Sequence, residues 1–380
     1  MDTSAHISIT KHFADLEDPR VLRTQRHSLL SIIVLAVCAV ICGADTWVDI
    51  EEFGKTKLTW FQTWLYLPNG IPSHDTFGRV FALINPSQFQ QHFLSWVQEL
   101  IVFTKGQIIA LDGKTLRRSH DQSAGKDAIH IISAWATTNR VVLGQLKTDA
   151  KSNEITAIPE LLSLLDIADC TITIDAIGAQ TAITKQIISQ KADYVIALKE
   201  NQKTLYEGVK EAFTEAGKNT RWTVQYDTYE TMEKGHGRIE TRKYSVITDT
   251  AYLKYLNPDG VWARLSGIGM VEAERIVNGK ATKEMRYYLL SSTKGAKVFA
   301  DAVRRHWGIE NQLHWVLDIA FREDESRIRK GGADQNFAVL RHIALNLIRQ
   351  ETGKGSVKTK RLKAGWDESY LLKVLTTKAN

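Results

Sequence analysis

The chain has 380 residues, 43% of them apolar, enough for a sizeable core divided over two or three domains. Its 49 bases against 43 acids give a net charge of +6, which favours a polyanionic partner even though the two signs are interspersed. The three cysteines (Cys38, Cys42 and Cys170) form an odd, sparse set that fits a reducing cytoplasm and excludes a disulfide framework.

The first hundred residues read as helical. The run LLSIIVLAVCAVIC (29–42) is the membrane candidate, but its 14 residues fall short of the ~20 that a spanning helix needs. Arg20, Arg23, Arg26 and His27 precede it as a signal peptide's basic region would. However, the run begins late for such a peptide, and no small-x-small cleavage site follows. A buried core helix in a soluble, cytoplasmic protein is the expectation, with Cys38 and Cys42 as core residues. Ser73 is placed to cap a helix over about 75–84, which Pro86 should end. This helical region (1–100), with its basic flanks, is a candidate DNA-binding domain.

The pattern changes at residue 107. QIIALD (107–112), IHIISAWAT (129–137) and VVLGQLKT (141–148) read as strands, the last two joined by a tight turn. A helix (153–166), a strand (CTITID, 170–175), a helix (179–190) and a strand (DYVIALK, 193–199) follow. Three strands in hairpin order, then helix, strand, helix, strand, is the order of an RNase H-like core. Residues 222–292 alternate as strands joined by turn signals such as NPDG and NGK. A helix carrying Glu310 comes next, then a helix over 333–350. In the tail, residues 349–363 hold six bases, Arg349, Lys354, Lys358, Lys360, Arg361 and Lys363. The fold class is therefore α/β: an RNase H-like mixed sheet with helices over 101–350, interrupted by a β-rich insertion at about 215–292. It is preceded by an all-helical domain and followed by a basic tail (351–380).

Two acids end apolar strands, Asp112 in IIALDGKT and Asp175 in TITIDAIG. After four or five apolar residues, each must be solvated, hydrogen-bonded or metal-bound at the rim of the core. On neighbouring strands the two can converge on one point. DGKT is no phosphate loop, because Ile108 stands where that motif needs a glycine. Lys114, Arg117 and Arg118 form either a basic patch for a backbone phosphate or a solvated charged turn. In HWGIENQLHWVLDIAFREDE (306–325), helical spacing lines up His306, Glu310, His314 and Asp318, with Ile309, Leu313, Val316, Leu317 and Ala320 on the adjoining packing face. Glu310 then lies at a border between core and cleft, suited to complete a site with Asp112 and Asp175. Asp318, Glu323 and Asp324 are rival third carboxylates. His306, Glu310 and His314 lack metalloprotease zinc spacing. An all-oxygen donor set points instead to Mg²⁺ or Mn²⁺, and two such ions serve in-line phosphoryl transfer.

The segments DGKTLRRS, AIHIISAW, QLKTDAKSNEITAIPELL, TIDAIGAQ, DYVIALKENQ, GHGRIETR, RYYLLSS and HWGIENQLHWVLDIAFREDE, in this order, closely resemble the H-repeat-associated transposases of bacterial insertion sequences. The likeness runs from about residue 10 to the C-terminus. It implies a DDE transposase with an RNase H-like catalytic domain and two-metal DNA cleavage and joining, with Asp112, Asp175 and Glu310 as the catalytic and metal-binding triad. It also implies double-stranded DNA as partner, both terminal inverted repeats and target, and a homodimer in the DNA complex, with no membrane role. Related transposases carry Tyr, Arg and Lys at −7, −4 and +7 from the catalytic Glu, where this chain has Val303, His306 and Leu317. Candidate DNA contacts are Lys114, Arg117, Arg118, Lys199, His236, Arg238, Arg242, His306 and His314. Trp262 is a candidate for base stacking or for core packing, and Trp307 and Trp315 are expected to pack. The rival functions are a metal-dependent nuclease without strand transfer and a catalytically dead, transposase-derived DNA-binding protein.

Overall fold

Capping residues set where the first helices begin. The structure, a computed structural model, describes residues 8–100, 106–120, 127–148, 154–217, 226–235 and 237–377. Its first helices are α1 (Ser8–Phe13), α2 (Leu29–Ile41), α3 (Trp47–Thr56), α4 (Leu58–Phe61), α5 (His74–Leu83) and α6 (Pro86–Leu100). The Ser28 hydroxyl accepts the Ser31 N–H at the start of α2, and a reciprocal Thr46–Asp49 box starts α3. Ser73 caps α5 through the Thr76 N–H, as its position predicts. Pro86 does more than end that helix. It opens α6, where its missing N–H costs nothing.

α2 is apolar all round, and every residue in it except Leu30 is buried. It packs against α13 (Ala333–Gln350), itself buried along most of its length. No described helix is long and apolar enough to cross a membrane.

The strands are β1 (Ile108–Thr115), β2 (His130–Ala136), β3 (Val141–Thr148), β4 (Thr171–Ile174), β5 (Asp193–Leu198), β6 (Tyr226–Gly235), β7 (Arg238–Ile247), β8 (Gly267–Val277) and β9 (Lys280–Leu290). Among the described residues they form one mixed sheet, ordered β3-β2-β1-β4-β5-β9-β8-β7-β6. β1, β4 and β5 run parallel, and β2 and β3 are antiparallel to their neighbours. The β-rich segment extends this same sheet, because β9 pairs antiparallel with β5 from Val195↔Leu290 to Leu198↔Tyr287. The fold is mixed α/β, one large sheet with many helices.

The crossovers are α7 (Glu154–Ser163) and α8 (Thr181–Ser189). Two further helices, α9 (Lys203–Gly217) and α10 (Thr250–Leu256), stand before and within the β-rich segment, where the sequence pattern predicts no helix. Trp262 lies buried in the main core, so the packing role applies and base stacking does not. One sheet face packs on α11 (Ala296–Gly308), whose Phe299, Ala300 and Val303 meet Tyr244, Val246, Val271 and Tyr288. The helices of residues 8–100 share the larger core with the other face. The Asn346 amide on α13 donates to the Val142 carbonyl (3.0 Å) and accepts the Val142 N–H (2.9 Å), serving β3 where a strand neighbour is missing.

The expected basic tail is instead two packed helices, α14 (Val357–Trp366) and α15 (Glu368–Thr376), set against α2 and α13. Three of the six bases there are structural. Arg361 donates to the Val40 carbonyl (2.8 Å), pairs with Asp45 (3.3 Å) and lies over the Phe321 ring. Arg349 lies over Trp135, and Lys360 is paired with Glu351 at 3.0 Å. Glu351 anchors this corner, accepting from Lys373 and Tyr370 (both 2.8 Å) and from the Gly353 N–H. Burial alone would raise its pKa. The hydrogen bonds from Lys373, Tyr370, Lys360 and Gly353 overcome that and hold it at about 2, below the ordinary 4.5.

A depressed folded-state pKa stabilises fully above about pH 4.5 and fades as the pH falls toward 2. Glu351→Gln should therefore be less stable than wild type by roughly 3 kcal/mol at pH 7, with the gap closing in acid. Urea denaturation at pH 7 and pH 3 measures this, and a pH-independent gap contradicts it.

Candidate active site

β1 and β4 are adjacent and parallel, with Leu111 opposite Ile174, so Asp112 and Asp175 follow at one end of neighbouring strands. Asp175 also caps the short turn Ala176–Gly178, accepting the Ile177 N–H at 3.0 Å, which fixes its direction. The third acid comes from a helix that changes winding. α11 runs into a π-helical turn, Ile309–His314, and then into α12 (Trp315–Phe321). Glu310 lies in the π turn, a widened geometry often found at functional sites. The Arg349 guanidinium, over the Trp135 ring, donates to the Gln312 carbonyl of this turn. Arg349 thereby serves a carbonyl of the irregular turn.

Asp112, Asp175 and Glu310 line one cleft of about 270 Å³, together with Thr173, Lys199, Glu284, Arg286, Tyr288, Val303, His306 and Trp307. The acids act on one another. Burial, then the charges of Asp175 and Glu310, push Asp112 up to about 7, against the Gly113 N–H, which favours its ionised form. Burial also raises Glu310, with Asp175 adding to the effect and Arg286 opposing it. Among the described residues, no group of three or more His, Cys, Asp or Glu side chains is arranged to hold a metal ion as it stands.

The predicted stripe meets different partners as the helix crosses from β4 to β1. His306 reaches the Thr173 hydroxyl (3.0 Å), and His314 stands 3.4 Å from an Asp112 carboxylate oxygen. Burial pushes His306 down to about 4 and, with the Lys114 charge, His314 to about 3. Both are neutral at pH 7, so neither offers a phosphate a positive charge. Asp318 reaches Lys114, away from the carboxylate cleft.

Lys114 is likewise engaged inside the protein. Its ammonium contacts Asp318, lies 3.0 Å from Glu323 and 3.6 Å from Asp324, and its side chain is 12% exposed. Arg341, fully buried over the Phe337 ring, approaches Glu323 from behind at 3.7 Å. Asp318, Glu323 and Asp324, the rival third acids, thus form an ion cluster that ties α12 to β1. Arg117 is open to solvent, 3.4 Å from Asp324, and Arg118 is exposed. Gly113 is explained by close approach. A Cβ there would come within 2.3 Å of His130 Nε2 and 2.5 Å of Glu154 Oε1, a buried pair 2.6 Å apart.

A groove of about 600 Å³ lies beside the cleft and shares Glu284, Arg286, Val303 and Trp307 with it. Arg238, Arg242, Arg275, Lys283 and Arg304 line it. Arg242 is paired with Glu240 and Glu233. His236 lies outside the described residues. Trp315 is 60% exposed, and Trp307 sits in the cleft wall under the Arg286 guanidinium (4.8 Å), so neither is the packing residue expected. Arg286, forked onto Glu284 at 2.7 and 2.8 Å, is the site residue that sequence reasoning missed. The only signal for it is its place in RYYLLSS, one of the segments that carry the resemblance.

The family model for the transposase DDE domain matches residues 103–347, and that for the DDE_Tnp_1-associated region matches residues 10–97. The chain is 42% identical over 374 residues to "Putative transposase YncI" of Escherichia coli O157:H7, covering 97% of this chain and 95% of that one. It is 39% identical over 378 residues to "H repeat-associated putative transposase YhhI" of Escherichia coli K12, covering 97% of each. A solved piggyBac transposase synaptic complex with hairpin DNA aligns with 99% of this chain and 78% of that one. At a TM-score of 0.42 and 11% identity, that likeness carries no weight.

Removing the Lys114 ammonium would leave three carboxylates facing one another, one of them buried. Lys114→Met is expected to cost roughly 3 kcal/mol, read by chemical denaturation at pH 7. A loss below about 1 kcal/mol would mean that solvent already serves these acids.

Proposed function

The chain belongs to the DDE-domain transposases, and from that premise we propose that it is the DNA transposase of an insertion sequence, with Asp112, Asp175 and Glu310 as its catalytic carboxylates. The observation that carries this reading is the convergence of the three acids, from β1, β4 and the π turn, on one cleft beside a groove rich in arginine. The order β3-β2-β1-β4-β5, with β1, β4 and β5 parallel, supports an RNase H-like core, with β6–β9 as its insertion and residues 8–100 as a helical region before it.

The donor set fits Mg²⁺ or Mn²⁺ chemically. It is all oxygen, no cysteine lines the cleft, and Asp112, raised by burial and then by the charges of Asp175 and Glu310, is a group that a divalent cation would hold ionised. Asp112, Asp175 and Glu310 would hold two such ions. When bound, these would supply Lewis-acid activation of the attacking oxygen and stabilisation of the leaving one. The protein's own groups do the rest. Arg286 and Lys199 in the cleft wall would hold the phosphate at the reacting bond, and Arg286 must exchange its fork on Glu284 to do so. Arg238, Arg242, Arg275 and Arg304 would carry the duplex away from the cleft. Neutral His314 beside Asp112 would orient that carboxylate. In this reading water attacks the phosphodiester at an element end and frees a 3′-hydroxyl, which then attacks a target phosphodiester and displaces the target's 3′-oxygen, and synapsis of two ends calls for two copies of the chain.

Asp112→Asn, Asp175→Asn and Glu310→Gln should each reduce Mg²⁺-dependent cleavage of element-end DNA by on the order of 1,000-fold, with DNA binding kept. A gel-based cleavage assay paired with an anisotropy binding curve checks this. Full cleavage in any one variant would remove that acid from the site.

A further inference from the structure

A buried histidine and a buried glutamate back the strand that carries Asp112. Side chains alternate along β1, so Asp112 and Lys114 lie on one face of the sheet and Gly113 and Thr115 on the other. On that second face His130 of β2, the cross-strand neighbour of Thr115, uses both ring nitrogens. Nδ1 lies 2.8 Å from the Thr115 hydroxyl, and Nε2 lies 2.6 Å from the carboxylate of Glu154, the first residue of α7. His130 and Glu154 are 3% and 4% exposed. Burying two ionisable side chains is costly, and apolar residues would fill the same space without that cost. The pair is therefore better explained by what it holds in place.

Its contacts lead to both aspartates. The β1–β4 ladder ends at Leu111↔Ile174, one residue short of each acid, so the ladder does not itself fix the spacing of Asp112 and Asp175. Gly113 passes so close to the pair that a Cβ would fall 2.3 Å from His130 Nε2 and 2.5 Å from Glu154 Oε1. The Gly113 N–H in turn bonds the Asp112 carboxylate. α7, tied to β2 through Glu154, packs against Ala176–Gly178, the turn that Asp175 caps. One short helix thus meets the segments that carry both acids, and Glu154 is its link to the first of them.

We propose that Glu154 and His130 are positioning residues for the cleft, fixing Asp112 relative to Asp175 and thereby the cleft's affinity for a divalent cation. The proposal rests on the carboxylate-site reading above and adds to it what sets the spacing of two of its acids.

The test uses the full chain with Mn²⁺, binding being read by isothermal titration calorimetry near pH 7 and folding by circular dichroism. Glu154→Ala should weaken Mn²⁺ binding by about 10- to 100-fold. The Mg²⁺ needed for half-maximal cleavage of element-end DNA should rise by a similar factor, with DNA binding unchanged. Glu154→Gln, which keeps an acceptor for His130 Nε2, should stay within about 5-fold of wild type. A loss in Glu154→Gln as large as in Glu154→Ala would assign the effect to the charge of Glu154 and overturn the positioning role. Gly113→Ala, whose methyl group is driven against the pair, probes the same link should Glu154→Ala fail to fold, and a loss of about 10-fold is expected there too. Glu351→Gln, destabilised at the C-terminal corner, should bind Mn²⁺ as wild type does. An equal loss in that variant would make the effect one of stability alone and overturn the proposal. If folded Glu154→Ala and Gly113→Ala bind Mn²⁺ as tightly as wild type while Asp112→Asn does not, the positioning role falls and the carboxylate site stands. If wild type neither binds Mn²⁺ nor cuts DNA, the reading beneath falls as well.

Discussion

Three like charges held around one small cleft are the constraint on which the rest of this structure depends. Burial raises Asp112 and Glu310 first, and the charges of the neighbouring acids add to it, against Arg286 at Glu310. A chain free to relax would turn such groups outward. Here each is fixed by its element. Asp112 follows a buried strand, Asp175 is bound into its own cap, and Glu310 lies in a π turn steadied by Arg349. The surrounding packing therefore offsets the cost of keeping three acids together at one cleft.

The strongest brace comes from a residue whose sequence context suggests another role. Lys114 lies two positions after Asp112, yet it turns from the cleft to Asp318, Glu323 and Asp324 beyond the π turn. The strand carrying the first acid is thereby coupled to the helix carrying the third. Arg341 closes the same cluster from α13, which in turn packs on α2. The helices of residues 8–100, the sheet and the C-terminal helices therefore support one another through a shared core.

Much of this was legible in the sequence, because strand periodicity and strand-end acids are local signals. β1–β5 and the π-turn region lie near where apolar runs place them, since burial on both faces leaves continuous apolar stretches. What was hidden depends on tertiary contact. Nothing local distinguishes Lys114 in an ion cluster from Lys114 on a phosphate, or Arg361 under a carbonyl from Arg361 in a basic tail. Helical spacing also could not reveal the π turn, because i and i+4 positions look alike in sequence whether or not one turn is widened. Arg286 escaped notice because a strand arginine becomes a site residue only through its neighbours across the cleft. Gly113 is similar, its reason being a His130–Glu154 pair brought in from β2 and α7.

The central claim is that these carboxylates serve DNA strand transfer rather than hydrolysis alone. It is tested most directly by giving the purified chain a pre-cleaved element end bearing a 3′-hydroxyl, a target plasmid and Mg²⁺, then sequencing any joined product. The account predicts joining of the 3′-end to target DNA by wild type and its loss in Asp175→Asn. Efficient DNA hydrolysis by wild type with no joined product would contradict it.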